Sequence, residues 1–170
     1  MAINAPSTSP KYIYKLIPAS AKDTLLPIQS ASSASPKASE LPEALPVSAL
    51  DKRDSFIHLS TRLQLLGTLR NFFKDEETVF VLRIPYAGVE KDVRWEDAKG
   101  KTPDEVGGCW DSEGRAGLFP HVYNGLKLGR AEVDDIGVWQ RQTDANDGKS
   151  GWGPDTWPWG DEDRPVELKA

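Results

Sequence analysis

Apolar residues in the first half of the chain form two short runs with the character of β-strands. The segment 12–17 combines aromatic and β-branched residues, and alternation places Tyr12 and Tyr14 on one face. A second run, 56–59, holds His58 among apolar neighbours and is bounded by polar residues. Both segments are therefore predicted to be buried strands.

A helical pattern follows the second run directly. Thr61 and Gln64 have the spacing of a helix N-cap and capping box. The apolar residues that then share one helical face are Leu65, Leu66, Leu69, Phe72 and Phe73. His58 is thus expected near the end of a strand, just before a strand-to-helix turn. Backbone N–H groups at such a turn bind anions and hydroxyl groups well.

The second half of the chain is dominated by strand patterns. Further strands are predicted, in chain order, at 78–84, 93–96, 118–123, 126–128 and 136–139. The segment 78–84 is apolar at consecutive positions, so it is expected in the middle of a sheet with both faces covered. Asn124 and Gly125 give a strong turn signal and predict a hairpin. Gly137 is predicted to form a β-bulge in the last strand.

Strands outnumber helices in this pattern, and only one helix is strongly indicated. The order of elements predicts an α+β fold with a mainly antiparallel sheet rather than a doubly wound fold. A single domain is expected over residues 11–142, after a flexible N-terminus at 1–10. Within it, the Ser-, Ala- and Pro-rich segment 28–48 is predicted to be a surface insertion, and 97–117 a Gly-rich loop.

The C-terminal segment 143–170 is acidic and also rich in tryptophan. Trp152, Trp157 and Trp159 alternate with Gly and Pro, which excludes a regular helix or central strand. Soluble proteins rarely expose that much apolar surface in one patch. The tail is therefore predicted to pack at least two of these rings on its own domain and to leave residues 161–163 in solvent.

Composition narrows the classes of partner. The formal net charge of −5 argues against a nucleic-acid-binding protein. No apolar run approaches the roughly 18 residues of a membrane span. The single cysteine, Cys109, excludes an internal disulfide, and the first residues lack a secretory signal pattern. A cytoplasmic protein is expected, and the oligomeric state is left open.

The two histidines of the chain, His58 and His121, are the leading candidates for chemistry. Both lie in apolar strand-like runs with hydroxyl-bearing residues nearby. Imidazole can donate, accept or transfer a proton near neutral pH. The alternative, that each is a core histidine with a satisfied hydrogen bond, remains equally open. We expect the two rings to face one cleft.

Arg94 and Glu96 are the next candidates, because alternation places both on one face of their strand and Trp95 on the other. Arginine can hold a phosphate or carboxylate, and glutamate can orient a hydroxyl or act as a base. The alternative is an exposed strand edge with two ordinary charges. Ser60 and Thr61 are better explained as helix caps than as nucleophiles, and no metal site is predicted from the spacing of the candidate ligands.

Several segments resemble, in order, the motifs of the Domain of Unknown Function 952 family. The segments that carry this resemblance are Tyr12-Ile-Tyr-Lys-Leu16, Asp54-Ser-Phe-Ile-His-Leu-Ser-Thr61, Leu82–Ile84, Arg94-Trp-Glu96 and Leu118-Phe-Pro-His-Val-Tyr-Asn-Gly-Leu126. The resemblance covers about residues 12–139. Members of that family have no assigned activity.

The resemblance implies an ADP-ribosyltransferase-like fold, with two small sheets around a cleft where related enzymes hold NAD. It implies that His58 takes the position of a strand histidine that contacts the NAD ribose. The catalytic candidates are then His58, His121 and Glu96. The ligand-binding candidates are Ser60, Thr61, Arg94, Phe119 and Tyr123. The expected substrate is NAD or another nucleotide or phosphorylated ligand, and no other cofactor is predicted.

Two alternatives to an enzyme stay open at this point. The first is a metabolite-binding module that uses the same cleft without turnover. The second is an interaction protein whose tryptophan-rich tail meets a partner. Fold analogy alone does not choose among the three.

Overall fold

The computed structural model describes residues 9–21, 37–97, 100, 118–143, 146, 148 and 150–166. Its helices and strands are, in chain order, β1 Tyr12–Pro18, α1 Ala49–Asp54, β2 Ile57–His58, α2 Leu65–Phe72, β3 Thr78–Pro85, α3 Tyr86–Val89, β4 Val93–Glu96, β5 Phe119–Val122, β6 Asp135–Gln140, β7 Gln142–Thr143 and β8 Ser150–Gly151. Short 3-10 turns lie at Ala19–Ala21, Ala38–Glu40, Glu90–Asp92 and Pro154–Thr156. All strand pairs are antiparallel, which confirms the predicted α+β class.

The strands β1, β3 and β6 form sheet I, with β3 in the centre. Val79 and Val81 of β3 face one side, and Phe80, Leu82 and Ile84 face the other. All five are buried. This arrangement confirms the prediction that 78–84 is a central strand covered on both faces.

The strands β2, β5 and β4 form sheet II, with β5 in the centre. Its inner-face residues, including Ile57, Trp95 and Val122, share one apolar core with the inner face of sheet I. The two sheets are also joined through the main chain, because Tyr14 and Ser60 exchange N–H···O hydrogen bonds of 2.9 Å. Sheet II is therefore fixed against sheet I at the point where β2 ends.

A second core covers the outer face of sheet I. Helix α2 contributes Leu65, Leu66 and Leu69, all nearly inaccessible to solvent. Phe72, predicted on the same face, is the last residue of the helix and is 74% exposed. Phe73 is only partly buried against the cluster. The helix prediction is thus correct for the leucines and wrong for Phe72.

The tryptophan-rich tail completes this second core. Trp152 and Trp157 are each 4% exposed, and Trp159 packs partly buried beside them. The rings of Trp139 and Trp157 meet edge to face with centroids 4.9 Å apart. Each indole N–H has an acceptor; that of Trp152, for example, donates to the carbonyl oxygen of Phe73 at 3.2 Å. The indole rings therefore belong to the fold of this domain.

One part of the acidic run at the end of the tail is exposed to solvent, and the other part forms hydrogen bonds with the protein. The Asp161 side chain is 97% exposed. In contrast, the Tyr12 hydroxyl donates to Glu162 Oε1 at 3.4 Å, and the Tyr14 hydroxyl donates to Asp163 Oδ2. Burial and the adjacent carboxylate raise the pKa of Tyr14, so its hydroxyl remains a donor. The prediction of a wholly solvated run was wrong because sheet I presents phenol donors to it.

The predicted hairpin return strand at 126–128 is absent; that segment is a turn and an extended connection. The Asn124 side chain closes the turn, accepting from the N–H of Lys127 at 3.0 Å and donating to its carbonyl oxygen at 2.7 Å. Leu126 has φ of 62°, which breaks the strand conformation. The next strand, β6, instead joins sheet I.

Gly137 lies in a regular register opposite Val81, so the predicted bulge is wrong. A Cβ at this position would stand 2.5 Å from the Cβ and Cγ atoms of Pro158. Because the glycine has no side chain, the tail can pack directly against β6. Sequence alone could not distinguish the two reasons for a glycine inside a strand.

Part of the predicted 28–48 insertion belongs to the core. Leu41 and Leu45 are buried among the residues between the two sheets, and Leu45 N–H donates to the carbonyl oxygen of Leu128 at 2.8 Å. This correction applies to 37–48, since 22–36 lie outside the described residues. Most of the predicted 97–117 loop, with Cys109, lies outside them as well.

Candidate functional site

The outer face of sheet II carries most of the residues singled out in the sequence. His58 of β2 lies directly opposite His121 of β5, and His121 lies opposite Arg94 of β4. Because side chains alternate along a strand, these three residues share the face turned away from sheet I. By the same alternation, the neighbours on this face are Phe56, Glu96, Phe119 and Tyr123.

The two imidazole rings face each other, with centroids 5.0 Å apart and planes inclined by 63°. Phe56 packs on both of them, with centroid distances of 4.5 Å to His58 and 4.2 Å to His121. His121 is 1% exposed, and Phe56 is 5% exposed. The expected proximity of the two rings is therefore present, and a phenylalanine covers them. Whether they serve one ligand stays a prediction.

His58 is held by a buried carboxylate. Asp51 Oδ1 lies 2.8 Å from His58 Nδ1 and also accepts the main-chain N–H of His58 at 3.1 Å. Lys15 Nζ donates to Asp51 Oδ2 at 2.6 Å and to the carbonyl oxygen of His58 at 3.2 Å. The ion pair of Lys15 and Asp51 thus binds three polar groups of His58: its main-chain N–H, its carbonyl oxygen and its ring.

The charge states of Asp51 and Lys15 follow from their surroundings. Burial acts to raise the pKa of Asp51, but the hydrogen bonds from His58 and the charge of Lys15 outweigh it and lower the pKa to about 2. Burial lowers the pKa of Lys15, and Asp51 opposes that effect. Asp51 is therefore a carboxylate at neutral pH and accepts from the imidazole.

The other ring nitrogen of His58 lacks such a bond. Nε2 lies 3.0 Å from Asp54 Oδ2, but outside the direction in which a ring N–H would point. This nitrogen is buried and has no hydrogen-bond partner in the part of the chain that the structure describes. Asp54 instead pairs with the guanidinium of Arg53, which lowers the pKa of its carboxyl group.

His121 repeats the arrangement on the neighbouring strand. Its Nδ1 lies 3.1 Å from Oε1 of the buried Glu96, which also accepts from the Tyr123 hydroxyl at 2.5 Å. Burial, with the proximity of His58, lowers the pKa of His121 to about 3, so its ring is neutral at pH 7. Burial and Glu96 raise the pKa of Tyr123, which therefore stays a hydroxyl donor. Each histidine thus has a carboxylate at Nδ1.

Arg94 supplies positive charge at the exposed margin of this face. Its guanidinium carbon lies 4.5 Å from the centroid of the Tyr123 ring, a cation–π distance. Phe119 is half-buried opposite Glu96. The structure thus brings Arg94, Glu96, Phe119 and Tyr123 to the same face as the two histidines.

Ser60 and Thr61 serve the turn into α2. Ser60 Oγ lies 3.3 Å from Thr68 Oγ1. The main-chain N–H of Thr61 donates to Gln64 Oε1 at 3.0 Å, which is half of the predicted capping box. The other half is not formed, because Thr61 Oγ1 is buried without a hydrogen-bond partner among the described residues. The hydrogen bonds described for these two residues do not reach the histidine pair.

The sequence reasoning missed Lys15 and Asp51 as site residues. Asp51 lies on α1, and Ser48 caps the first turn of this helix. The Oγ atom of Ser48 accepts a hydrogen bond from the main-chain N–H of Asp51 at 3.2 Å. Ser55, with φ of 62°, ends the helix and turns the chain into β2. The Ser48-x-x-Asp51 spacing is a capping signature that could have revealed this helix.

Within the described ranges, no group of three or more His, Cys, Asp or Glu side chains could hold a metal ion. The helices in the same ranges are all too short or too polar to cross a membrane.

Comparison with known proteins places the chain in one family. The model of the family described as "Protein of unknown function (DUF952)" matches residues 30–136. Among solved structures, the crystal structure of protein CC0527 from Caulobacter crescentus is similar at 24% identity, covering 82% of this chain and 92% of that chain, with a TM-score of 0.48. The solution structure of CC0527 is 25% identical, with coverage of 81% and 90% and a TM-score of 0.49.

A search of curated proteins gives no match. The family match spans more than half of the 170 residues, including α1 and sheet II with both histidines. This chain belongs to the family of proteins of unknown function DUF952.

Proposed function

We propose that the outer face of sheet II binds a small nucleotide or phosphorylated ligand, with NAD as the first candidate, and that His58 and His121 exchange protons with it. The observation that carries the proposal is Nε2 of His58, which is buried, has no aligned hydrogen bond to the described residues and belongs to a ring that faces His121. A buried polar atom without a partner costs about 1–3 kcal/mol, which a hydrogen bond from a ligand would recover.

The proposal extends to an ADP-ribosyltransferase-like architecture, in which His58 contacts the ribose of NAD. What supports this part is the position of His58 at the end of a short strand in a fold with two three-stranded antiparallel sheets. In such a reaction the bond between ribose and nicotinamide breaks, and an acceptor group takes the ribose carbon.

Each residue has a role that its surroundings suit. Neutral His121, with Glu96 at Nδ1, presents its other ring nitrogen as a proton acceptor. Arg94, at the exposed margin, attracts a phosphate group. Phe56 packs on both imidazoles, so its ring can stack on an aromatic ring of a ligand that reaches them.

Binding without turnover is the second candidate. The burial of His121 favours it, because a group that transfers a proton to a substrate must come within hydrogen-bond reach of it. Release of nicotinamide from NAD distinguishes the two: an enzyme produces it, and a binding module retains intact NAD.

The test is the change in melting temperature with NAD, ADP-ribose, AMP or inorganic phosphate. Saturating ligand at about 100 times its Kd should stabilise the protein by about 2.7 kcal/mol. Arg94→Gln should weaken binding about tenfold, since it removes a charge-assisted hydrogen bond. Arg130→Gln is the matched control, because Arg130 is exposed and lies in the connection between β5 and β6. The absence of stabilisation by all four compounds would contradict the proposal.

A further inference from the structure

The ion pair of Lys15 and Asp51 lies where the attraction between its two charges contributes little to the stability of the fold. Its side chains are 13% and 2% exposed, and a largely apolar cavity of about 20 Å³, room for roughly one water molecule, lies beside them. A buried ion pair is often no more stabilising than apolar residues of the same volume. In addition to each other, the two side chains bind His58.

The contacts of the pair restrain His58 in position and in tautomer. Asp51 accepts both the main-chain N–H and the ring Nδ1 through one oxygen, and Lys15 binds the carbonyl oxygen of the same residue. An acceptor at Nδ1 requires the proton of the neutral ring to be on Nδ1. The proton-exchanging atom is then Nε2, the buried nitrogen beside His121 and Phe56.

We propose that Lys15 and Asp51 are positioning residues that fix His58 as its Nδ1–H tautomer, so that Nε2 is the atom that meets the ligand. This inference rests on the proposed function for the role of Nε2, but the tautomer itself can be measured without any ligand. The same logic applies to His121, where Glu96 is the acceptor at Nδ1.

The charged and titratable groups around His58 come from three elements. Asp51 and Asp54 belong to α1, Lys15 to β1 and His121 to β5. Asp54 is the only competitor among these for the ring proton, because its carboxylate lies near Nε2. Its contact is misaligned for a hydrogen bond and that of Asp51 is aligned, so Asp51 determines the tautomer.

Two-bond 1H–15N NMR correlation of the histidine rings tests this, because nitrogen shifts distinguish the two tautomers. The spectrum is recorded at a pH at which His58 is neutral. In the wild-type protein His58 should show the Nδ1–H pattern, and a dominant Nε2–H pattern would overturn the inference. This first result needs no variant and therefore no assumption about folding.

The variants then assign the cause. Asp51→Asn should populate the Nε2–H tautomer, while Asp54→Asn, the same change on the same helix, should leave the Nδ1–H pattern in place. The reverse outcome would overturn the role of Asp51. With NAD as the probe, Asp51→Asn should weaken binding about tenfold, because an Nε2 that carries the proton no longer accepts a hydrogen bond from the ligand. If NAD, ADP-ribose, AMP and inorganic phosphate all fail to bind the wild-type protein but the tautomers behave as stated, the proposed function fails and the positioning role stands.

Discussion

Replacing Trp157 by alanine is expected to lower the free energy of unfolding by about 3–5 kcal/mol. The ring is buried, and its centroid lies 4.9 Å from that of Trp139 and 5.2 Å from that of Tyr14. Its indole N–H donates to the carbonyl oxygen of Glu162 at 2.9 Å. The substitution opens a cavity under the tail and removes the contact that holds it on sheet I. Urea denaturation followed by circular dichroism measures the change.

Phe72→Ala is the matched control, since it also removes a large aromatic ring. Phe72 is 74% exposed, so its loss should change the stability by less than about 0.5 kcal/mol. Equal, small effects of Trp157→Ala and Phe72→Ala would show that the tail does not form part of the cooperative fold.

Lys15→Met is expected to lower the free energy of unfolding by about 3–5 kcal/mol, because it leaves the buried Asp51 carboxylate without its cation. Methionine keeps most of the length and apolar volume of the lysine chain. Adding Asp51→Asn to this variant should restore part of the loss, since the uncompensated charge disappears. Chemical denaturation at neutral pH measures all three proteins.

Arg53→Met provides the comparison for an exposed ion pair. Arg53 contacts Asp54 at 2.9 Å, but its side chain is 70% exposed, so its loss should change the stability much less than the loss of Lys15. A Lys15→Met variant as stable as Arg53→Met would contradict the account of a buried, organising pair.

The local parts of the fold could be predicted because strand periodicity depends on neighbours in sequence. The consecutive apolar residues of 78–84 predict a central strand, and alternation correctly separates Arg94 and Glu96 from Trp95. The same rule predicts that His58 can face His121 once their strands pair. These conclusions require no knowledge of distant contacts.

The features that could not be predicted from the sequence depend on contacts between segments far apart in the chain. Lys15 reaches Asp51 across 36 residues, and no local pattern marks a lysine in a strand as the partner of a carboxylate on a later helix. Gly137 is explained only by Pro158, which the tail brings to it. The turn after Asn124 was predicted, but its side-chain hydrogen bonds and the positive φ of Leu126 send the chain to sheet I instead of into a hairpin.

NMR titration of 15N-labelled protein with NAD shows whether the histidine pair on the outer face of sheet II is a ligand site. The ring signals of both His58 and His121 should shift and saturate with one common Kd. The indole N–H of Trp139, in the core on the far side of sheet I, should not follow them. Unchanged signals of both histidine rings at millimolar concentrations of NAD, ADP-ribose, AMP and inorganic phosphate would contradict a ligand site at this face.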